Sequence, residues 1–257
     1  MKNFIILFFA VSNLAFANPP FWGKTGHRVV GEVAEMHLKR KARKMVRKIL
    51  KGRSLASVSN YADDIKSDTL YRKYYPWHYV NYPADKTYVQ EPPAEEGDIV
   101  QAIETCIAKL RDKNSPEEEQ IFYLKMLVHF IGDLHQPLHA GWAENRGGND
   151  IEIEWFGRES NLHRLWDSDL IDHFGMSYTE LARDLPPLSK EGYKALKQGD
   201  VYSWVEESHR LATSIYGSVI PGERLGYRYK YIHWNTVERQ LLKGGVRLAV
   251  VLNEIFD

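Results

Sequence analysis

Cysteine is nearly absent. Cys106 is the single one among 257 residues, so no intramolecular disulfide can form. An excess of either charge is also missing: 34 lysines and arginines face 34 aspartates and glutamates. No global field draws in a polyanion, and recognition of a nucleic acid would have to rest on local groups. After the first few residues there is no apolar run long enough to span a bilayer. No linker, internal repeat or low-complexity tract divides the chain. At this length a single domain can bury a core large enough to need no covalent staple. Apolar residues at 44% and charged residues at 26% are ordinary for a globular protein.

The N-terminal stretch MKNFIILFFAVSNLAFA has a basic residue, an apolar run from Phe4 to Val11, and Ala15-Phe16-Ala17 at its exit. That pattern is a secretory signal peptide over residues 1–17, with one domain over 18–257 and a secreted or periplasmic destination. A secreted chain without disulfides needs another source of stability, and bound metal is one.

The apolar periodicity is mainly helical. It predicts one broken or two consecutive helices over 25–51, ending at Gly52, and a helix over 98–112 capped by Asp98. On that helix Cys106 recurs in register with Ile99, Ile103, Ile107 and Leu110, which reads as a buried structural thiol. Ser115-Pro116-Glu117-Glu118 reads as a capping box with an early proline. It opens a helix to about Leu134, stopped by Pro137 and apolar nearly all round. DIEIEWF at 150–156 alternates like a short strand, with Gly157 opening a turn. Further helices are predicted near 178–184, 200–216 and 228–255. In the last, Gly244-Gly245 implies close packing against a neighbour. The basic run 37–53 reads as the solvated face of an amphipathic helix, with a phosphate-backbone patch as the alternative. The expected architecture is one mainly α domain with a short β-hairpin.

LVHFIGDLHQPLHAG, residues 127–141, is mostly apolar yet carries His129, Asp133, His135 and His139. Burying these groups is costly unless something pairs with them. His129 and Asp133, four apart, project from one helical face. His139 follows the break at Gln136-Pro137. A second H-x-x-x-D is His163 and Asp167. His27, Asp63, Asp64 and His78 lie upstream. Imidazole and carboxylate together suit zinc at catalytic sites. Buried ion pairs are the alternative reading. His135 is off the His129–Asp133 face and reads as a supporting residue. His37, His173, His209 and His233 read as surface or packing residues.

In order, WGKTGH, YADDIK, WHYVN, LVHFIGDLHQPLHAG, RGGND, NLHRLWD and KGGVRLAVVLNEIF resemble the zinc-dependent, single-strand-specific nucleases of fungi, plants and bacteria, the mung-bean nuclease type. The resemblance runs from Trp22 to the C-terminus and implies the mostly helical fold of the zinc phospholipases C and single-strand nucleases, with three zinc ions in a cleft. By position, it implies Asp63, His78, His129 and Asp133 at the first zinc, and His139, His163 and Asp167 at the second. For the third it implies His27, a bridging Asp133 and the amine of an N-terminal Trp22. Asp63 would orient the nucleophile and Lys66 would stabilise the charge of the phosphorane. Tyr79 would stack on a base, with Asn81 and Asn149 in the base or phosphate pocket. The implied activity is hydrolysis of single-stranded DNA and RNA to 5′-phosphate products, with 3′-nucleotidase action, by a monomer without an obligatory protein partner.

Two positions depart from the pattern. Cleavage after Ala17 leaves Asn18-Pro19-Pro20-Phe21 ahead of Trp22, so the third zinc requires further processing or loses that amine. Asn81 stands where the family can carry aspartate. An amide both donates and accepts, whereas a carboxylate only accepts, so base preference is expected to differ. Two alternatives are a zinc-dependent phospholipase C, from which Asp167 in place of glutamate separates this chain, and a non-catalytic zinc-binding protein.

Overall fold

The computed structural model describes residues 23–257. The expected signal peptide over 1–17 and Trp22 lie outside the described residues. Helices α1 (Lys24–His37) and α2 (Arg40–Ile49) are separated by an extended step at Leu38 and Lys39. Short turns α3 (Leu55–Val58) and α4 (Tyr61–Asp64) follow, then a 3-10 helix over Thr69–His78. α5 (Ile99–Arg111) and α6 (Glu117–Leu134) come next, and a 3-10 turn over Pro137–Ala140. Strands β1 (Glu152–Trp155) and β2 (Arg158–Asn161) form a hairpin, and α7 (Leu162–Arg164) runs through a π-type turn (Leu165–Asp169) into α8 (Leu170–Asp172). α9 (Tyr178–Asp184), α10 (Lys190–Leu196), α11 (Val201–Tyr216), the two-residue strand β3 (Arg224–Leu225) and α12 (Tyr227–Ile255) complete the chain.

α6 is central because its C-terminal half leaves no polar face to show to solvent. From Met126 to Leu134 every residue is buried. Each fully buried leucine, isoleucine or phenylalanine there contributes roughly 1.5–3 kcal/mol. α5 packs along it, and α1 and α12 close the other side. Gly244 and Gly245 let α12 approach α1: a Cβ at Gly244 would stand 3.2 Å from Val30, and one at Gly245 would collide with Val33. A helical glycine costs about 0.5–1 kcal/mol, less than overpacking at about 1–3 kcal/mol, so glycine is the better residue at this crossing. Gly31 does the same for α1 against the backbone of Ala56.

β1 and β2 pair antiparallel from Glu152↔Asn161 to Trp155↔Arg158, joined by Phe156 and Gly157, both at positive φ. A two-residue turn of that kind matches the strand twist. β3 adds in parallel to β1. Asp98 caps α5, accepting from Val100 N at 2.9 Å and Gln101 N at 3.1 Å. Cys106 is fully buried.

The expected capping box at Ser115 does not form. Pro116 is the N-cap, and the Ser115 hydroxyl turns back to donate to Lys109 O at 2.8 Å. The hydroxyl thus satisfies a carbonyl at the end of α5 instead of an amide of α6. The long 3-10 helix over 69–78 and α10 have no counterpart in the predicted elements. In α2 the apolar residues Ala42, Val46 and Ile49 face the core, and the cations face solvent.

Candidate active site

The end of α6 presents His129 and Asp133 to the interior, both with no solvent exposure. Their four-residue spacing brings His129 Nε2 to 3.1 Å from Asp133 Oδ2. The 3-10 helix ends by delivering His78, whose Nδ1 lies 2.9 Å from the same oxygen and 3.1 Å from His129 Nε2. Asp63, from α4, approaches the two rings at 3.4 and 3.7 Å. Ligands about 2.1 Å from a tetrahedral ion stand about 3.4 Å apart, and these donors straddle that separation. His27, on α1, stacks on His129 with centroids 3.9 Å apart and reaches Asp133 Oδ1 at 3.2 Å. Gly132 makes that stack possible, because a Cβ there would sit 2.6 Å from the His27 ring.

A second group forms around Asp167, which the π-type turn carries; such turns recur at functional sites. His139 Nε2 lies 3.2 Å from Asp167 Oδ1, and the His139 and His163 rings are stacked 5.1 Å apart. Gln136 donates to the same oxygen at 3.1 Å. Asp167 Oδ2 is buried and accepts no hydrogen bond among the described residues. An ionised carboxylate oxygen left so would cost several kcal/mol, which a cation at that point would offset.

Backbone carbonyls orient the rings. Nδ1–H of His129 donates to Ser59 O at 2.7 Å, that of His139 to His78 O at 2.8 Å, and that of His163 to Gly147 O at 2.8 Å. Each bond leaves the Nε2 lone pair pointing into the cluster, the arrangement by which outer partners fix a ligating imidazole. Three groups could therefore hold metal ions: His27, His129 and Asp133; Asp63, His78 and His129; and His139, His163 and Asp167.

The protonation pattern shows the same demand for positive charge. Burial alone would raise the Asp63 and Asp133 carboxyls, but the His129 ring holds both well below the usual carboxylate range. Burial works against protonation of His129, yet Asp133 and Asp63 lift it to about 10. Burial pushes His78 down to about 3, with Lys66 adding to the effect. Burial likewise carries His163 to about 4 against the pull of Asp167. The carboxylates thus favour positive charge at the His129 Nε2 position, where a cation or a proton would meet the same need.

The clusters open on a cavity of about 310 Å³. Its wall includes Lys66, His78, Tyr79, Asn81, His139, Asn149 and His163, all residues singled out by sequence. Lys66 Nζ is 2.8 Å from Asp63 Oδ1, with its side chain 12% exposed. Burial lowers the pKa of that ammonium although Asp63 and Asp133 oppose the shift. Tyr79 is 39% exposed at the mouth. Asn81 Oδ1 is buried and accepts no hydrogen bond among the described residues. The Asn149 amide donates to Arg146 O at 2.8 Å and so also shapes the turn.

Tyr75, Leu138 and Arg146 also line the cavity and were not singled out by sequence. Tyr75 had one available signal, its place three residues before His78. Arg146, held by Asp150 and in the left-handed region at φ 51°, opens the RGGND motif that carries part of the family resemblance. Asp64 stays exposed outside the cluster. His135 turns away, donating to Ile131 O at 2.8 Å and meeting Arg247 Nη1 at 3.1 Å. His209 is buried and stacked on Tyr82, while His37, His173 and His233 pack on aromatic neighbours.

A mainly helical domain whose histidines and aspartates converge beneath one cleft has the fold of the zinc phospholipases C and single-strand nucleases. Residues 22–257 match the S1/P1 nuclease family. The chain is 32% identical to Endonuclease 2 of Arabidopsis thaliana, an alignment covering 91% of this chain and 90% of that protein. It is 29% identical to Nuclease P1 of Penicillium citrinum, over 91% of this chain and 97% of that one. To Nuclease S1 of Aspergillus oryzae it is 28% identical, over 66% and 62% of the two chains. The chain belongs to the S1/P1 nuclease family, and it is a phosphodiester-hydrolysing enzyme of the endonuclease type. That membership separates it from the phospholipases and from non-catalytic metal stores. Among the described residues no helix is long and apolar enough to cross a membrane.

Proposed function

We propose that this enzyme is a secreted, zinc-dependent endonuclease that cleaves single-stranded DNA and RNA to 5′-phosphate products and also acts on 3′-nucleotides. The observation that carries this reading is the juxtaposition of Lys66, 2.8 Å from Asp63, with the buried His–Asp groups at the floor of one cavity. A cation beside metal ligands serves a negatively charged transition state; a metal store has no use for it.

Asp63, His78, His129 and Asp133 would hold one zinc, and His139, His163 and Asp167 a second. A third would take His27, a shared Asp133 and the amine of Trp22, after removal of residues 1–17 and trimming to that tryptophan. Zinc at these sites lowers the pKa of a bound water towards neutrality and offsets charge on phosphoryl oxygens. Asp63 orients the attacking oxygen through its carboxylate. Lys66 donates to a non-bridging oxygen as charge builds on it. Tyr79, half-exposed at the mouth, offers a ring face to an unstacked base, which a duplex does not present. Asn81 directs its buried carbonyl oxygen towards the base and can also donate through its amide, so it reads a different base edge from a carboxylate. The enzyme acts as a monomer.

The test is direct. Purified protein should degrade single-stranded DNA and RNA faster than duplex, lose activity with chelator and regain it with zinc. End-labelling should find 5′-phosphates. Cleavage of phosphatidylcholine with single-stranded DNA untouched would overturn the substrate assignment.

A further inference from the structure

Beside the catalytic cavity lies a second, larger groove of about 880 Å³, and the two share Lys66 and Tyr75 as a common wall. The groove thus adjoins the catalytic cavity along that wall. The larger part is lined by Arg72, Lys73, Ser67, Thr69 and Tyr71, with Glu96 as its one acid. For a chain of zero net charge this is a local concentration of cations and hydroxyls. The nearby Asp68 carboxylate is engaged at the start of the 3-10 helix, accepting from Leu70 N at 2.9 Å.

The groove is built on the 3-10 helix over Thr69–His78. With three residues per turn, side chains three apart line up along one edge, about 6 Å per turn. Thr69, Arg72, Tyr75 and His78 form such an edge. It starts in the groove, passes the shared wall at Tyr75, and ends on a residue of the buried His–Asp cluster. The edge is braced by ring packing: Tyr74 lies against Phe122 with centroids 5.2 Å apart, and the groove-lining Tyr71 reaches the same ring at 6.0 Å. Tyr75 is 46% exposed, with Lys66 over its ring at 5.3 Å. Cations interleaved with an exposed aromatic on a groove are the features that hold single-stranded nucleic acid.

We infer that Arg72 and Lys73 form a distal phosphate subsite, which binds the backbone of a single strand beyond the nucleotide being cleaved and so favours polynucleotides over dinucleotides. This rests on the nuclease reading of the adjoining cavity. Neither residue contacts the catalytic cluster, and both are exposed, so their removal leaves the chemistry in place.

The experiment compares the zinc-loaded wild type with Arg72→Ala/Lys73→Ala and with the charge-conserving Arg72→Lys/Lys73→Arg. Two readouts are taken: kcat/KM for a dinucleoside monophosphate and for a single-stranded 12-mer, and the salt dependence of binding to a phosphorothioate 12-mer that resists cleavage. The alanine pair should lose at least about fivefold on the 12-mer while the dinucleotide stays within about twofold. Its plot of log affinity against log salt should flatten by about 1.4, about 0.7 for each phosphate contact. The charge-conserving pair should keep the wild-type slope. An unchanged slope in the alanine pair, or equal losses on both substrates, overturns the subsite. Failure of the wild type to cleave either substrate would overturn the nuclease reading, while the binding slope would still decide the groove.

Discussion

The side-chain amide of Gln136 donates to Asp167, Nε2 to Oδ1 at 3.1 Å, while its own Oε1 accepts from Leu138 N at 2.6 Å. One buried side chain thus fixes the turn that carries His139 and aims the carboxylate that faces it. Outer partners of this kind are typically worth 10–100-fold in metal affinity. Gln136→Leu is expected to weaken zinc at the His139–His163–Asp167 group by roughly that factor, measured by competition with a chromogenic chelator. Unaltered affinity in a folded variant would show that Asp167 is held by its backbone alone.

Asp133 stands within 3.4 Å of His27, His78, His129 and His139. Asp133→Ala should therefore lower bound zinc more than any other single ligand change, by more than one equivalent in metal analysis. Removing one partner of a buried charged set costs about 3–5 kcal/mol, so Asp133→Asn, which retains the volume, serves as the folding control. Zinc content equal to the parent's in both variants would refute the bridging role.

Tyr79→Ala is expected to act on substrate and leave the metals alone. A base stacked on an aromatic is worth about 1–3 kcal/mol, so KM for a single-stranded substrate should rise about 5- to 150-fold with zinc content unchanged. Parallel loss of zinc would make Tyr79 a structural residue.

Gly31 lies where α1 crosses the backbone at Ala56, and a Cβ there would stand 2.7 Å from Ala56 N. Backbone cannot move aside as a side chain can. Gly31→Ala should cost about 1–3 kcal/mol of stability, seen as a fall in denaturation midpoint at constant m-value. No change would mean that the crossing relaxes freely.

Glu207 provides a pH test away from the metal groups. Burial raises its carboxyl, but Arg247 and Lys243, at 2.8 and 3.2 Å, hold it below the usual range. A depressed folded pKa contributes stability that is present above the unfolded value of about 4.3 and lost as pH falls through the folded one. The difference in Tm between wild type and Glu207→Gln should be present at pH 6–7 and shrink below about pH 4. A difference independent of pH would assign the effect to hydrogen bonding without charge. The pair matters to the site because Arg247 also meets His135, two residues beyond Asp133.

Much was legible in the linear order of residues because it depends on local spacing. The four-residue step from His129 to Asp133, the nearly all-round apolarity of 121–134, the cap at Asp98 and the glycine pair in α12 each express helical geometry directly. The ordered motifs from WGKTGH to KGGVRLAVVLNEIF carried the family and hence the fold. What tertiary structure decided was convergence. Asp63, His78 and His27 come from three separate elements, and no spacing rule sets the 3.1–3.9 Å at which they meet His129. Gln136 against Asp167, Gly132 beneath His27, and the carbonyls of Ser59 and Gly147 behind the imidazoles are consequences of chain crossings. Ser115 shows the same limit in reverse: its local pattern favoured an N-cap, and a neighbouring helix end offered the hydroxyl a better acceptor. Propensity acts over a few residues, whereas a buried polar group takes whichever partner the packed chain brings within hydrogen-bond reach.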